Sequence, residues 1–248
     1  AALLCSSMVL SLVSTPVSAA ETGQLTNPPT STEGPGSPES TSGNEAAAIL
    51  NELSVSALTA NRVAEVTTAK HLTDMLADSS VVKITLAENI NIDNTLTVNR
   101  TVTLDLDGNV LKMTGSGSVI KVESGGNLTI ADSNTSTPHK FTLGGDGLWK
   151  LDETGGSEIV YGGIITGGNT QNGGGVYVAT GCQLTMTGGN IVGCQATYEG
   201  GGVYIYGLRS SSDQTVFTMT GGSITGCQAN GTDGGGGVNV TKGTFTMK

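Results

Sequence analysis

The sequence predicts an all-β chain that winds into a right-handed parallel β-helix, a solenoid of stacked coils, with a short α-helical cap at its N-terminal end. Glycine is very frequent, at 38 of 248 residues, whereas aromatic residues make up 4% and charged residues 13% of the chain. Short apolar alternations follow the glycine clusters and recur as a tandem repeat. Strands this short cannot bury an apolar face alone, so successive units have to stack.

The repeat is most regular from residue 162 onward. GGNIVGCQA begins at Gly188, GGSITGCQA begins at Gly221, and a looser copy, GGIITGGNT, begins at Gly162. A polar segment at 208–214, LRSSSDQ, lengthens the second spacing and indicates a loop that leaves the strands in register. In each unit a glycine cluster leads into VYV, VYI or VNV, and then into LTMT, FTMT or FTMK.

These strands alternate with a period of two, so their apolar side chains all point to one side. Stacking at about 4.8 Å per rung closes a continuous core and pairs the backbone of each coil with its neighbours. A β-sandwich has no such period, and propeller blades need about 40 or more residues. The β-helix is therefore predicted over 81–248, and the array is expected to be truncated at Lys248, within a strand.

Less regular strands precede the repeat, and a helical cap is predicted before them. Short alternating segments lie at 82–92, 96–106, 119–123, 127–131 and 141–143. From Thr68 to Ala77, the apolar residues at 69, 72, 75 and 76 form one face of a helix, and a second helix is expected at 46–58. The segment 45–80 is therefore predicted to be a helical cap that covers the open end of the first coil.

Two segments before the cap predict export to a secreted or cell-surface location. Residues 1–20 combine an apolar run, ALLCSSMVLSLV, with a small-residue site, VSAA, and are interpreted as a signal peptide whose basic n-region is missing. The apolar run is shorter than the roughly 20 residues of a membrane span, so no span is predicted. Residues 21–44 are rich in Pro, Ser, Thr and Gly and are predicted to be a disordered linker.

Charge and the scattered titratable residues predict neither nucleic-acid binding nor a catalytic, cofactor or metal site. The net charge is −10, and only 11 Lys and Arg are available to contact phosphates. Neither His71 nor His139, expected in a loop, has a Ser, Cys or carboxylate partner at a meaningful spacing, which argues against a triad. Asp105 and Asp107 point the same way from one strand, and they and the acidic pair at 152–153 are interpreted as solvating the outer face.

Three cysteines, Cys182, Cys194 and Cys227, follow the predicted signal peptide. Cys194 and Cys227 occupy the same repeat position and are expected on adjacent rungs, with Cα atoms about 5 Å apart, within disulfide range. A stacked ladder of free thiols is the alternative, since unpaired Cys is usually buried. No CxxC or Cys/His spacing predicts zinc, and the single GGDG segment at 144–147 is interpreted as a turn, because calcium-binding repeats need tandem copies.

Two outward rows are candidate binding surfaces. Tyr177 and Tyr204 are expected to stack on one face, continued by Asn239, and exposed aromatic rings there could lie against sugar rings. Thr185 and Thr218 belong to a threonine row on another face, a pattern that can order water on a flat surface. Both residue types are also common on solvated strands. The predicted ligand-contact row is therefore Tyr177 and Tyr204.

One run of the chain, together with the repeat units, has the character of a known family. The run is HLTDMLADSSVVKITLAENINIDNTLTVNRTVTLDLDGNVLKM, followed by SVIKVESGGNLTIADS and by the GGGVYV and TMTGG units. These segments, which cover roughly 66–248, resemble secreted β-helix repeat proteins of bacterial cell surfaces. The resemblance implies a long stalk with an adhesin-like role, and it is specific for fold and location rather than for a ligand.

The expected function is that of a non-enzymatic, secreted or surface-displayed stalk whose partners are surface glycans or host or extracellular-matrix molecules. Weak contacts repeated on every rung would add up through multivalency. The alternative from another class is a polysaccharide lyase or glycoside hydrolase of the β-helix type, with carboxylates near Asp105 and Asp107 or beyond residue 248. A spacer with no ligand is the third possibility.

Overall fold

The computed structural model describes residues 62–208, 214–232 and 234–248, which all belong to one compact unit. The predicted signal peptide, the predicted linker and the second predicted cap helix at 46–58 lie outside these residues. The described part consists mostly of β-strands in parallel sheets, with one short helix, which confirms the all-β class. Within it, no helix has the length and apolar character that crossing a bilayer requires.

The strands are short, and they follow one another with only brief turns between them. In chain order the described elements are β1 (Arg62–Val66), α1 (Ala69–Ala77), β2 (Val81–Leu86), β3 (Ile90–Ile92), β4 (Leu96–Val98), β5 (Thr101–Asp105), β6 (Val110–Met113), β7 (Ile120–Val122), β8 (Asn127–Ala131), β9 (Pro138–Leu143), β10 (Trp149–Leu151), β11 (Glu158–Tyr161), β12 (Ile164–Thr166), β13 (Asn169–Asn172), β14 (Val176–Val178), β15 (Gln183–Met186), β16 (Asn190–Val192), β17 (Gln195–Glu199), β18 (Val203–Tyr206), β19 (Val216–Met219), β20 (Ser223–Thr225), β21 (Gln228–Ala229), β22 (Val238–Thr241) and β23 (Thr244–Met247).

Four parallel sheets hold most of these strands. Sheet A has the order β1-β2-β5-β8-β15-β19-β23, sheet B β3-β6-β12-β16-β20, sheet C β4-β7-β14-β18-β22, and sheet D β13-β17-β21. From β2 onward the chain visits sheets A, B and C in the same order on every pass, and from β13 onward it adds a strand of sheet D between B and C. Each strand therefore pairs with the strand that another pass contributes to the same sheet.

The register places like residues above one another. In sheet B, Ile165 pairs with Ile191, which in turn pairs with Ile224. In sheet A, Phe217 pairs with Phe245, and their rings stack with centroids 4.8 Å apart. Inward-facing residues of every pass join one continuous apolar core. The described residues on either side of the polar segment near 208–214 keep this register, as the sequence predicted.

Helix α1 covers the N-terminal end of this core. The Thr68 hydroxyl accepts a hydrogen bond from the amide of His71 at 3.2 Å and caps the helix N-terminus. Leu72 and Leu76 are buried in the main core. At the C-terminal end, the Arg100 guanidinium donates to the carbonyl oxygens of Leu76 and Met75, both at 2.8 Å. These charged donors satisfy carbonyls that a helix end leaves unpaired.

The predicted cap at 45–80 differs from the structure in its described part. Arg62–Val66 forms strand β1, which pairs in parallel with β2 and extends sheet A. Val66 is fully buried in the main core. The parallel sheet therefore begins before the helix rather than after it, because the alternating segment RVAEV can bury Ala64 and Val66 on one face.

An antiparallel sheet interrupts the parallel order between β8 and β12. Strands β10, β9 and β11 form this insertion, with β9 in the middle. The structure departs here from the parallel pairing expected for a β-helix over 81–248, because the predicted strand at 141–143 is part of the antiparallel strand β9. β9 and β10 pair antiparallel because the connection between them, residues 144–148, is too short for a parallel crossover, and β11 pairs antiparallel along the other edge of β9.

The insertion covers the outer face of sheet B and builds a second apolar core. Val110, Ile164 and Val192 point outward from sheet B, since the alternate residues Leu111, Ile165 and Ile191 belong to the main core. Phe141 is fully buried against them, and the other residues packed there are Trp149, Leu151 and Val160. Consecutive apolar residues in these strands are therefore explained by burial on both faces of sheet B.

Two turn glycines let Trp149 approach sheet B closely. Gly193 and Gly226 have φ angles of +62° and +58°, in the left-handed region. A Cβ at position 226 would lie 2.2 Å from Trp149 Cγ, and one at position 193 would lie 2.0 Å from the Trp149 carbonyl oxygen. The Trp149 amide donates to the Gly226 carbonyl at 3.0 Å. The docking of the insertion therefore depends on glycine in the repeats.

The three described cysteines are free thiols that lie at the turn after sheet B or in the core. Cys194 and Cys227 stack on adjacent passes, and the Cys194 amide donates to Cys227 Sγ at 3.4 Å. The hydrogen bond between the two thiols and complete burial raise the pKa of Cys194 well above its ordinary value. Of the two arrangements that the sequence left open, the structure contains the thiol ladder.

Replacing Phe141 tests the second core. We expect Phe141→Ala to lower the free energy of unfolding by about 3–5 kcal/mol, because it removes a large, fully buried side chain and leaves a cavity. Urea denaturation followed through the emission of Trp149, the single tryptophan of the chain, measures this loss. Lys140→Ala is the matched control, since Lys140 is the exposed neighbour in the same strand. A loss below about 1 kcal/mol for Phe141→Ala would contradict the packing described.

Candidate functional site

The predicted tyrosine row lies on the outer face of sheet C and is longer than the sequence suggested. The register aligns Thr97, Lys121, Tyr177, Tyr204 and Asn239 on successive strands. Their strand neighbours, such as Val176 and Val203, point into the main core. Tyr177 and Tyr204 are therefore adjacent, as predicted, with ring centroids 5.5 Å apart.

Tyr204 is not the exposed aromatic residue that the sequence predicted. Its side chain is only 5% exposed, because the rings of Tyr177 and Tyr206 flank it at 5.5 Å and 6.3 Å. Its hydroxyl lies beside Thr241 and Glu199, and burial raises its pKa. Tyr204 therefore packs against Tyr177 as a buried neighbour. Tyr177, which is half-buried, is the ring that a ligand can reach.

Tyr177 lines a groove of about 460 Å³ on this face. One wall comes from the strand β7 and the turn before it, and the other wall comes from β13. The residues around the groove are mostly polar and uncharged: Thr95, Thr97, Gly117, Ser118, Lys121, Glu123, Thr170, Gln171, Asn172 and Tyr177. A pair of backbone hydrogen bonds between Gly117 and Asn169, at 2.8 and 3.0 Å, joins the two walls.

The charged groups of the groove form a neutral pair. Lys121 Nζ lies 2.6 Å from Glu123 Oε2 and 5.9 Å from the centroid of the Tyr177 ring. The hydrogen bond to Glu123 raises the pKa of Lys121. Burial raises the pKa of Tyr177, and the charge of Lys121 opposes that shift. At neutral pH the groove therefore presents an intact phenol, one ion pair, two amide side chains and several hydroxyls.

Such a set of groups suits the hydroxyls and rings of a sugar. A half-buried phenol offers an apolar face and a hydroxyl, and amide and carboxylate side chains donate and accept hydrogen bonds in fixed directions. The strands that carry Lys121 and Tyr177 are paired on both sides, so these side chains are held by rigid elements.

Sequence reasoning missed Lys121, Glu123 and the amides Gln171 and Asn172. Ile120 pairs with Val176 although the antiparallel insertion separates them in the chain. The alternation Ile120-Lys121-Val122 was visible, but its neighbour across the sheet was not, since the repeat could not be followed through the insertion. Strand β13 has no apolar alternation that could reveal it.

The threonine row is also in register, on the outer face of sheet A. It comprises Thr103, Thr129, Thr185, Thr218 and Thr246. The flanking outward column changes from Asn127 to Gln183 to Val216. Thr187 and Thr220 accompany the row on two passes, but the column on its other side contains unlike residues, so this face is not the wide regular array that ordering water requires.

Asp105 and Asp107, the acidic residues of the enzyme alternative, hold a turn together. Asp105 is 1% exposed, forms an ion pair with Lys83 at 2.7 Å and accepts hydrogen bonds from the amides of Asp107 and Ser133 at 3.1 and 2.9 Å. Asp107, at φ +45° in the turn after β5, accepts from the Ser133 hydroxyl at 2.9 Å. The interpretation of Asp105 as a solvating surface residue is wrong, because its neighbours supply the hydrogen bonds that water would supply outside.

His139 has a carboxylate partner, contrary to the sequence prediction, and it lies in strand β9 rather than in a loop. It is buried, with Nδ1 2.8 Å from Glu153 Oε1 and Nε2 2.9 Å from the Gly108 carbonyl oxygen. Folding of the insertion brings these groups together. The contacts join the insertion to the turn after β5 and occupy both ring nitrogens.

The remaining predicted candidates lie apart. Asp152 accepts hydrogen bonds from Thr142, Thr154 and the Gly155 amide, which lower its pKa. His71 is exposed on α1. The GGDG segment is a turn, with the Gly147 amide donating to the Gly144 carbonyl at 2.9 Å. Within the described ranges, no three His, Cys, Asp or Glu side chains converge as metal ligands.

Acid titration tests the role of Asp105. Burial by itself raises the pKa of Asp105, but hydrogen bonds from Lys83, Ser133 and Asp107 outweigh it and hold the pKa below its ordinary value. The stability that the carboxylate contributes is therefore present above about pH 3.9, the pKa of an unfolded Asp, and is lost as the pH falls through the lower pKa of the folded state. We expect Asp105→Asn to cost about 1–3 kcal/mol at pH 7.

The difference in unfolding free energy between wild type and Asp105→Asn should shrink when urea denaturation is repeated below about pH 3. Asp93→Asn is the control, because Asp93 is an exposed carboxylate that hydrogen-bonds only to the side chain of Asn94 next to it. A difference that stays constant from pH 7 to pH 3 would contradict the assignment.

Comparison of the chain with protein-family descriptions, with curated proteins and with solved structures finds no match. The role of the groove has to be inferred from its own residues.

Proposed function

We propose that this chain is a non-enzymatic, secreted or surface-displayed right-handed parallel β-helix, a stalk that contacts glycans through the groove at Tyr177. The solenoid is supported by the cyclic visits of the chain to sheets A, B and C and by the parallel register of every pass. Export is supported by the pattern of residues 1–20. An adhesin-like role is consistent with a long scaffold that carries a surface groove.

The observation that carries the glycan proposal is the placement of Tyr177. Its half-buried ring lines one groove together with the Lys121–Glu123 ion pair and the amides of Gln171 and Asn172. A sugar has an apolar ring face and a rim of hydroxyls, so it matches an aromatic face bordered by fixed donors and acceptors. Because the ion pair neutralises both charges, a neutral saccharide is the favoured class.

The outward row gives little support to the expected multivalent binding by a single chain. The outward row changes from Thr97 to Lys121 to Tyr177 and then to the buried Tyr204, so the rungs do not repeat one contact. We therefore propose one glycan groove on this part of the solenoid. Avidity would come from several chains displayed on one surface.

The alternative of a lyase or glycoside hydrolase lacks a favouring observation in the described residues. Asp105 is buried in an ion pair, Asp107 accepts a hydrogen bond from Ser133 after β8, and Asp152 accepts one from Gly155 in its own turn. A glycosidase needs two carboxylates that face one substrate bond. The alternative is retained as an outcome of the experiment below.

A glycan array probed with the full chain tests the proposal. We expect binding to neutral oligosaccharides that falls at least roughly tenfold in Tyr177→Ala and in Lys121→Met. Tyr161→Ala is the matched control, because Tyr161 is 59% exposed on the insertion, away from the groove. Tyr204→Ala is unsuitable, since its burial would make loss of fold and loss of binding indistinguishable.

Mass analysis of the bound glycans separates the two classes of function. Retention of intact glycans, with loss of binding only in the groove variants, is the result expected of a lectin-like stalk. Cleaved products would transfer the assignment to the enzyme class. Equal binding by wild type and both groove variants would reject the groove at Tyr177, and no binding at all would leave the chain as a structural spacer.

A further inference from the structure

A second cavity, here called the Trp149 pocket, lies where the tip of the insertion meets the turn between sheets B and D. Its volume is about 520 Å³, within the range of ligand-binding sites. The insertion contributes the segment 146–151, and the parallel sheets contribute Lys112, Thr166, Asn169 and Gln195. The tyrosine groove and the Trp149 pocket share no residue.

One wall of the Trp149 pocket is apolar and rigid. Trp149 packs against Phe141, with ring centroids 6.2 Å apart, and its amide donates to the Gly226 carbonyl. Leu148 and Leu151 extend this wall. Gly167 and Gly168 also line the pocket without side chains, and Gly193 lies against the Trp149 carbonyl oxygen. An aromatic ring that is held in place beside open space is a ready surface for a flat, partly apolar ring.

The polar side of the pocket contains two lysines, Lys112 and the exposed Lys150, and neither forms an ion pair with a carboxylate of the described residues. Lys112 is half-buried, and it forms none of the ion pairs among the described residues, in a chain whose net charge is −10. By contrast, Lys83 and Lys121, which also point outward from their sheets, are each paired with a carboxylate. An unpaired, partly desolvated ammonium group attracts an anion more strongly than a fully solvated one.

Fixed amide groups lie next to Lys112. Gln195 Nε2 donates to Gln228 Oε1 at 3.3 Å, and Gln228 Nε2 donates to the Asp146 carbonyl oxygen at 3.0 Å. This chain of hydrogen bonds orients the Gln195 amide and ties the tip of the insertion to sheet D. Asp146 is the one carboxylate of the lining, and its Oδ1 accepts the Leu148 amide at 3.1 Å. An anionic ligand would therefore place its charge at Lys112 and a hydroxyl near Asp146.

We propose that the Trp149 pocket binds an acidic saccharide, with a sugar ring against Trp149 and the carboxylate of that sugar on Lys112. The pocket differs from the tyrosine groove in its unpaired lysines, because the lysine of the groove is neutralised by Glu123. The two sites thus select different charges. The proposal stands independently of the tyrosine groove, since it rests on other residues and on another face of the sheets.

Trp149 reports on this pocket directly, because it is the single tryptophan of the chain. The experiment titrates the full chain with a glucuronate-containing oligosaccharide and, separately, with its neutral glucose counterpart, while calorimetry and tryptophan emission are both recorded. We expect saturable binding of the acidic ligand with a change in Trp149 emission. The neutral ligand should bind at least roughly tenfold more weakly to this site.

Lys112→Met and Lys140→Met form the matched pair of variants. Both remove one positive charge, and Met keeps much of the apolar stem of Lys, but Lys140 is exposed in β9 and does not line the pocket. Lys112→Met should raise the Kd for the acidic saccharide at least roughly tenfold, whereas Lys140→Met should leave it unchanged. If the Trp149 emission of the ligand-free Lys112→Met variant equals that of the ligand-free wild type, the pocket is intact.

Three results would overturn the proposal. They are the absence of calorimetric binding by the acidic ligand, equal affinity for the neutral ligand, and equal effects of the two lysine substitutions. Tyr177→Ala separates this site from the tyrosine groove: acidic binding that survives in Tyr177→Ala belongs to the Trp149 pocket, and acidic binding that disappears with Tyr177 would assign it to the groove and reject the pocket.

Discussion

Parallel hydrogen bonding between successive passes of the chain is the interaction on which the rest of the structure depends. A strand such as β14 has three residues and no partner within its own pass, so its amides and carbonyls are satisfied only by β7 and β18. The same pairing aligns the inward residues into columns, as in Leu111, Ile165 and Ile191. Backbone pairing and burial therefore reinforce each other, and neither forms without the other.

Strand pairing also determines which side chains can form a site together. Side chains from distant parts of the chain become neighbours when their strands stack, which is how Lys121 and Tyr177 come together across the insertion. The insertion begins after β8 of sheet A, and the chain resumes parallel pairing at β12 of sheet B. The insertion therefore adds residues around the sheets without changing the register of their strands. The groove and the Trp149 pocket are both products of this arrangement: one lies along a column, and the other lies where the insertion meets the sheets.

The local pattern was sufficient to predict most strands of sheets A, B and C, the helix α1 and the adjacency of Tyr177 and Tyr204, because each depends on spacing within a short segment. The local pattern was insufficient to predict the solvent exposure of side chains, because exposure depends on the neighbouring residues in space. Tyr204, for example, is covered by Tyr206 and by groups from other passes. The insertion was missed for a similar reason. Consecutive apolar residues in sheet B, such as Ile164 with Ile165 and Ile191 with Val192, are a local sign that both faces of this sheet are buried, and a strand that alternates strictly would not need such a cover.

The close approach of Trp149 to the turns of sheet B makes the packing of the insertion depend on which residues occupy those turns. A turn that faces solvent tolerates many side chains. Gly193 and Gly226, by contrast, lie directly against the backbone and the indole ring of Trp149. Any side chain at position 226 would occupy the space that the ring fills. The tryptophan and these two glycines therefore constrain one another, so an insertion of this kind can pack on the parallel sheets only where glycine occupies the matching turns.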